Sequence, residues 1–258
     1  SRGDVDVVVE CLNKLPFFTP VYGDRRVPTL ALCHHLFGGV AFEQVAWPIA
    51  AAVVTAEAAI PRAYRRVPFL AISESTARDL VARGVDEKHI TVSEPGIEAS
   101  AFEVDPKATR PPRITYVGRL ERYKRIDVLL RAGARLLDRF PDLEILVIGK
   151  GSDRENLEDL AKDLGVEGCT RFTGFVEDRE RDALLAGTRV CVFPSEKEGW
   201  GLTVIEANAL GTPVVARDAP GLRDSVRDGD TGRLVDGDDE IDGFVRAIGS
   251  LLVEDEAT

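Results

Sequence analysis

The stretch Glu198-Gly199-Trp200-Gly201-Leu202-Thr203-Val204-Ile205-Glu206, preceded by Val190-Cys191-Val192-Phe193 and Pro194, decides the fold. An unbroken apolar run closed by proline predicts a strand buried on both faces, as in a parallel sheet. Leu202 to Leu210 reads as a helix, with Gly211 and Pro213 as its stop signal. Gly199 and Gly201 therefore fall where a strand hands over to a helix. There glycine lets backbone approach a ligand closely, and unpaired N–H groups at the positive end of the helix dipole favour an anion such as a diphosphate. Glu198 stands before the turn and Glu206 inside the helix. Hydrogen bonds to a charged carboxylate contribute about 1.5–3 kcal/mol each, which suits a ligand rich in hydroxyl groups. A surface loop with two solvated glutamates is the plainer reading of the same stretch.

A second constellation lies upstream. Arg113-Ile114-Thr115-Tyr116-Val117 reads as a strand, Gly118-Arg119-Leu120 turns, and Lys124 and Arg125 precede the amphipathic run from Ile126. Cations at a helix start oppose the dipole unless an anion is expected between them and the helix. From Arg113 onward strand and helix signals alternate. Strands are expected at Ile114–Val117, Leu143–Ile148, Thr170–Thr173, Val190–Phe193 and Pro213–Ala216, and helices at Ile126–Phe140, Arg154–Leu164, Arg179–Leu185 and Leu202–Leu210. That alternation predicts a doubly wound parallel sheet. The first hundred residues carry strand signals at Val5–Val9, Thr29–Cys33, Phe69–Ile72 and Ile90–Val92, with helical stretches between; Ser73 to Thr76 read as the cap that opens a helix over Ala77–Arg83, ended by Gly84.

Taken in order, Gly118-Arg119…Lys124, Val147-Ile148-Gly149-Lys150-Gly151, Phe172-Thr173-Gly174-Phe175-Val176, Pro194-Ser195…Glu198 and the Glu198/Glu206 pair resemble the retaining GT-B glycosyltransferases of family 4. The resemblance runs from about Asp4 to Val253. It implies an α/β GT-B protein of two Rossmann-like doubly wound domains, the first truncated: residues 1–105 an acceptor-side domain and 106–258 a nucleotide-sugar (donor) domain. The implied reaction is retaining, metal-independent transfer of a glycosyl group from a UDP- or GDP-sugar to a hydroxyl acceptor, glycan or lipid-linked, with no cofactor.

The resemblance also implies roles, residue by residue. Arg119 and Lys124, in the turn opened by Gly118, would neutralise the donor diphosphate, helped by the backbone of Gly201, Leu202 and Thr203. Glu206 would accept from the ribose hydroxyls. Glu198 would sit against the transferred sugar, with Gly199, Trp200 and Gly201 contacting its hydroxyls. Gly149, Gly151, Phe175 and Val176 would line the nucleotide pocket, although core packing explains Phe175 as well. His34 ends a strand-like run and in the family faces the sugar; a structural histidine at a strand end is the alternative. Strand alternation sends His35 to the opposite face. Catalysis would be a front-face displacement in which the departing diphosphate helps deprotonate the acceptor, so electrostatic stabilisation of the leaving group carries the rate.

Composition is consistent with this reading. The chain has 258 residues, a net charge of −11 and 44% hydrophobic residues, enough for one large core or two modest ones and unsuited to non-specific nucleic-acid binding. Cys11, Cys33, Cys169 and Cys191 show no Cys-x-x-Cys spacing, which fits reduced thiols in a cytoplasmic protein. The acidic turns Asp228-Gly229-Asp230 and Asp236-Gly237-Asp238-Asp239 fail the calcium-loop pattern, and no metal site is expected. Trp47 to Ile60, followed by Arg62, Arg65 and Arg66, reads either as a core helix with a basic end or as a helix lying on the cytoplasmic face of an anionic membrane. Against the family pattern, the opening glycine-rich loop and the terminal helix are missing, so a fragment of a longer protein is expected. A GT-B nucleotide-sugar epimerase and a non-catalytic sugar-nucleotide-binding fragment are the alternatives.

Overall fold

The structure, a computed structural model, describes residues 5–12, 15–98, 109–236 and 240–253. The expected boundary at 105/106 lies outside the described residues. The chain divides into two compact units, one of residues 1–96 with Glu198–Trp200 and one of 97–197 with 201–258.

The first unit contains β1 (Val8–Leu12), α1 (Thr19–Tyr22), β2 (Thr29–Cys33), α2 (Ala41–Gln44), α3 (Trp47–Ala63), β3 (Phe69–Ala71), α4 (Glu74–Ala82) and β4 (Ile90–Val92). Its four strands are parallel in the order β1-β2-β3-β4. Leu12, Ala31, Cys33, Ile60, Tyr64, Phe69 and Leu80 form its core. The strand expected at Val5–Val9 starts instead at Val8, because its ladder with β2 begins at Val8 opposite Thr29, just after Pro28. The helix expected to stop at Ile60 runs through Pro61 to Ala63, where the missing proline N–H removes only one bond near the helix end. α4 begins at Glu74, three residues before the expected Ala77, because Ser73 alone is its cap: the Ser73 hydroxyl accepts from the Thr76 N–H at 3.0 Å.

The second unit contains β5 (Arg113–Val117), α5 (Ile126–Leu136), β6 (Glu144–Ile148), α6 (Arg154–Asp163), β7 (Thr170–Gly174), α7 (Asp178–Ala186), β8 (Val190–Phe193), α8 (Leu202–Ala209), β9 (Val214–Arg217), α9 (Leu222–Ser225), β10 (Gly232–Val235) and α10 (Glu240–Val253). The sheet order is β10-β9-β8-β5-β6-β7, with every ladder parallel. Both units are therefore parallel α/β layers; the strand order reverses in the second, which is doubly wound, whereas the first runs in chain order without a reversal, so the doubly wound form expected of it is not seen. α5 ends at Leu136 rather than Phe140: the Leu136 carbonyl takes the N–H groups of Arg139 and Phe140 in a tight turn, and Pro141 bars Phe140 from helical backbone. No element is expected from the sequence beyond Ala216, and the structure adds α9, β10 and α10 there; Ile241, Phe244, Val245, Ile248, Leu251 and Leu252 of α10 follow a helical spacing. α10 buries Phe244, Ile248, Leu251 and Leu252 in the core of the second unit, and a Cβ added at Gly249 would stand 3.5 Å from Leu136 Cδ2 on α5, an ordinary contact distance.

Backbone, not side chain, joins the turns that leave β5 and β6. Gly118 N–H donates to Ile148 O at 3.0 Å, Leu120 N–H to Lys150 O at 2.9 Å, and Gly149 N–H to Gly174 O at 2.8 Å. A Cβ on Gly149 would fall 1.9 Å from Gly118 O, and one on Gly151 would fall 2.1 Å from Leu120 O. Gly149 also has φ +135°, which side chains avoid. Gly149→Ala should therefore cost at least about 3 kcal/mol or prevent folding. Gly168→Ala, where nothing lies within 4 Å of the added Cβ, should stay within about 0.5 kcal/mol of the parent. Urea unfolding of the two variants checks the contrast; equal losses would refute the backbone-contact explanation.

Candidate active site

In the second sheet the connections after β5 lead to β6 and β7 on one side, and β8, β9 and β10 follow on the other. Strand order reverses between the neighbours β5 and β8. Ligands in open α/β sheets bind at such a reversal, outside the carboxyl ends of the strands. The turns leaving β5 and β8 carry the two constellations found in the sequence.

The turn after β5 opens at Gly118 with φ +153°. The Tyr116 hydroxyl donates to Arg119 O at 3.0 Å, and Arg119 Nη2 donates to the Tyr123 hydroxyl at 2.8 Å, so the exposed guanidinium has a defined position. Lys124 ends a single 3₁₀ turn, is buried to 9% exposure, and sets its Nζ 5.0 Å from the centre of the Tyr123 ring. Arg125 faces elsewhere: Asp127, Glu196 and Glu240 surround its guanidinium.

Past β8, Gly201 adopts φ +80° and ψ +57° and caps α8. The first-turn N–H groups of a helix have no intrahelical acceptor, so the amides of Leu202 and Thr203 open the helix at its positive end. Glu206 lies two positions beyond Val204 on α8, with Arg181 Nη1 of α7 at 3.7 Å. Asp178 at 3.1 Å and Asp182 at 2.8 Å hold Arg181 in turn. Burial raises the Glu206 pKa above the ordinary carboxylate range, with Arg181 opposing and Asp182 and Asp178 reinforcing the rise. Phe175 is 64% exposed, which removes the core-packing reading; Lys150 Nζ stands 5.7 Å from its ring centre. Val176 packs against the core.

Gly118, Arg119, Lys124, Gly149, Gly151, Phe175, Val176, Gly201, Leu202, Thr203 and Glu206 thus all belong to the second unit, on or beside the turns that follow β5 to β8. Glu198, Gly199 and Trp200 group with the first unit, as does His34. β2 ends at Cys33, so His34 and His35 lie beyond it and strand alternation does not govern them, contrary to the sequence expectation. A Cβ on Gly199 would meet His34 O at 3.1 Å, Ile72 Cδ1 at 3.2 Å and His35 Nδ1 at 3.5 Å, so this glycine rests on the His34–His35 segment. That segment continues into Phe37 and Gly38, whose N–H groups donate to the buried Glu57 carboxylate at 2.6 and 2.9 Å; Arg83 Nη1 meets the same carboxylate at 3.1 Å. Trp200 is buried, and among the described residues its Nε1 has no hydrogen-bond partner. Arg181, Tyr123 and Glu57 escape sequence reading, since an arginine among acids, a tyrosine in a turn and a glutamate in an apolar helix carry no local signal of a site. No group of three His, Cys, Asp or Glu side chains placed to hold a metal ion occurs among the described residues. Nor, among them, is any helix long and apolar enough to cross a membrane.

A family model described as "Glycosyl transferases group 1" matches residues 98–258. The chain is 40% identical over 150 residues to a D-inositol 3-phosphate glycosyltransferase of Corynebacterium urealyticum, covering 55% of this chain and 35% of that protein. It is 38% identical over 188 residues to one from a Mycobacterium species, covering 70% and 40%. The chain thus spans less than half the length of these relatives. Among solved structures it resembles the lipopolysaccharide outer core galactosyltransferase WaaB (TM-score 0.72, 22% identity, 97% of this chain and 67% of that one). It also resembles Anabaena HepE in complex with UDP and glucose (TM-score 0.70, 20% identity, 90% and 64%). Sucrose-phosphate synthase of Thermosynechococcus elongatus aligns with TM-score 0.73 at 25% identity over 91% and 61%.

A carboxyl whose pKa is raised on folding binds more protons folded than unfolded. Its contribution is favourable below the unfolded value and is lost as pH rises through the raised folded value. Glu206→Gln, always neutral, should therefore melt higher than the parent at about pH 8, with that advantage shrinking toward pH ~4, near the ordinary Glu pKa. Thermal melts across that range test it; a difference independent of pH would show that Glu206 does not titrate as its burial requires.

Proposed function

The chain belongs to the glycosyl transferases group 1 family, and on that premise we propose that it carries the donor-binding part of a glycosyltransferase. The reaction proposed is retaining, metal-independent transfer from a nucleotide-diphosphate sugar to a hydroxyl acceptor. One observation carries this reading. Arg119 and Lys124 follow β5, and the amino end of α8, which no side chain caps, follows β8, the two strands between which the sheet order reverses. Two cations and a helix dipole supply the positive charge that a leaving diphosphate needs, a role a divalent ion fills in other enzymes.

In this proposal Arg119, Lys124 and the 201–203 amides take the diphosphate, and Glu206, positioned by Arg181, accepts from the ribose. Phe175 with the Gly149–Gly151 backbone borders the base, while Glu198 and His34 serve the transferred sugar. Residues 106–258 form the donor domain and 1–105 the acceptor side. The proposed donor is a UDP- or GDP-sugar, and the UDP complex of Anabaena HepE supports UDP. The proposed acceptor is a glycan or lipid-linked hydroxyl, and the name of the curated relatives supports an inositol phosphate beside them. Phe42, Val45, Trp47 and Ile49 are exposed at the α2–α3 corner, which supports a peripheral contact with the cytoplasmic face of a membrane.

Lys124→Met, which keeps the length of the stem, and Arg119→Ala should each weaken UDP or GDP binding by about 10- to 100-fold, the loss of one charge-assisted contact. Arg119 is exposed, so its replacement should leave stability within about 0.5 kcal/mol. Calorimetric titration with both nucleotides reads the effect. Parent-like affinity in both variants would remove the diphosphate assignment.

A further inference from the structure

We infer that Arg125 is a positioning residue for the donor site, holding the start of the loop after β8 through a ring of ion pairs instead of binding phosphate itself. The inference rests on the donor-site reading above. Arg125 and Phe18 are the non-glycine residues with positive φ among the described residues; Arg125 sits at φ +51° and ψ +41° between the 3₁₀ turn and α5. Glycine adopts that backbone freely and a residue with a Cβ resists it. An arginine kept there implies that its side chain compensates.

The compensation is visible. Arg125 Nε and Nη2 donate to the two Asp127 oxygens at 3.0 and 3.2 Å, Nη1 donates to Glu196 Oε1 at 3.3 Å, and Nη2 lies 3.4 Å from Glu240 Oε2. Glu240 also pairs with Arg217 Nη2, and Arg217 Nε donates to Pro194 O at 3.1 Å. Glu196 N–H donates to Tyr123 O at 3.0 Å. Pro194 and Glu196 are thus gripped from β9, from the turn after β5 and, through Glu240, from the first residue of α10. The segment so gripped leads within a few residues to Glu198 and the amino end of α8.

Charge decides between holding a loop and holding a phosphate. The ring contains two guanidinium groups, Arg125 and Arg217, and three carboxylates, Asp127, Glu196 and Glu240. Among these groups carboxylates outnumber guanidinium groups three to two, so Arg125 has no surplus positive charge to offer a diphosphate. Lys124 and Arg119 lie one and six residues before Arg125, and Arg119 Nη2 donates to the Tyr123 hydroxyl at 2.8 Å instead. Sequence places four basic residues together, Arg119, Arg122, Lys124 and Arg125, and the fold sets Arg125 to a task apart from that of Arg119 and Lys124.

The test uses the 258-residue chain and its Arg125→Gly, Arg125→Lys, Glu196→Gln and Arg125→Gly/Glu196→Gln variants. Each is titrated with UDP and with GDP, and hydrogen exchange of the amides at 193–198 is followed without ligand. Glycine relieves the left-handed strain, so Arg125→Gly should fold. It should nevertheless bind nucleotide about tenfold more weakly, as should Glu196→Gln, and the double variant should be no worse than either single. Exchange at the Glu196 amide should rise about tenfold in Arg125→Gly while the amides of β6 and β7 keep parent rates. Arg125→Lys, which keeps the charge but cannot reach three carboxylates, should fall between parent and glycine. Tighter binding in Glu196→Gln would overturn the inference, since freeing Arg125 would then have created a phosphate ligand. Additive losses in the double variant would overturn it too. If the parent binds neither nucleotide, the donor reading fails, and exchange alone decides the ring: an unchanged Glu196 amide in Arg125→Gly overturns it, and a rise confined to 193–198 upholds the loop-holding role.

Discussion

The parallel ladder between β5 and β8 is the constraint from which the rest follows. Ile114 pairs with Val190 and Thr115 with Cys191, although three helices and two strands separate these strands in the chain. Right-handed crossovers carry the chain outward from β5 through β6 to β7, and then from β8 outward through β9 to β10. Helices on either side of the reversal go to opposite faces, so no crossover covers the carboxyl ends of β5 and β8. The loops there are free to serve chemistry because the topology leaves them uncovered.

Much of this was legible in the sequence, for identifiable reasons. The Val190–Phe193 run is buried throughout, as an unbroken apolar tetrapeptide in a parallel sheet must be, and Gly201 and Gly211 take the left-handed backbone expected at the two ends of α8. Those signals are local: apolar runs, glycine and proline. What escaped depends on distant partners. β1 starts where β2 can pair with it, and His34 falls past the strand because the ladder stops at Cys33. The ion-pair ring of Arg125 joins residues more than a hundred positions apart, and no periodicity reports that. The glycines Gly149 and Gly151 were legible as glycines of a site, yet backbone packing between two turns already demands them.

The electrostatics of the site run against the chain as a whole. An acidic protein places Arg119 and Lys124 in one short turn and neutralises the neighbouring Arg125 with three carboxylates. Local sign, not net charge, governs what a crevice can bind, because exposed charges further than about 10 Å away are screened at ordinary ionic strength. Lys124 is buried beside an aromatic ring, where its ammonium interacts more strongly with a bound anion than an exposed lysine would. Glu206 shows the opposite cost: burial raises its pKa, and Arg181 only partly offsets that.

These features share a logic. Arg125 holds a backbone conformation its Cβ resists, Glu206 holds a charge its surroundings disfavour, and Trp200 buries an indole N–H without a described partner. Each departs from the rule that buried groups are relaxed and paired, and such departures persist where the surrounding structure compensates them. Phe18 shows such compensation. Its left-handed backbone is repaid internally, since its N–H donates to the Glu10 carboxylate at 3.2 Å and to the Tyr64 hydroxyl at 2.9 Å. Arg125 resembles Phe18 in this respect, because its strain too is met by groups of the protein itself. Glu206 and Trp200 differ, for among the described residues a raised carboxyl and an indole N–H without a partner remain. The backbone strain at Phe18 and Arg125 is thus met by groups of the protein itself, and it shapes the two turns in which these residues stand.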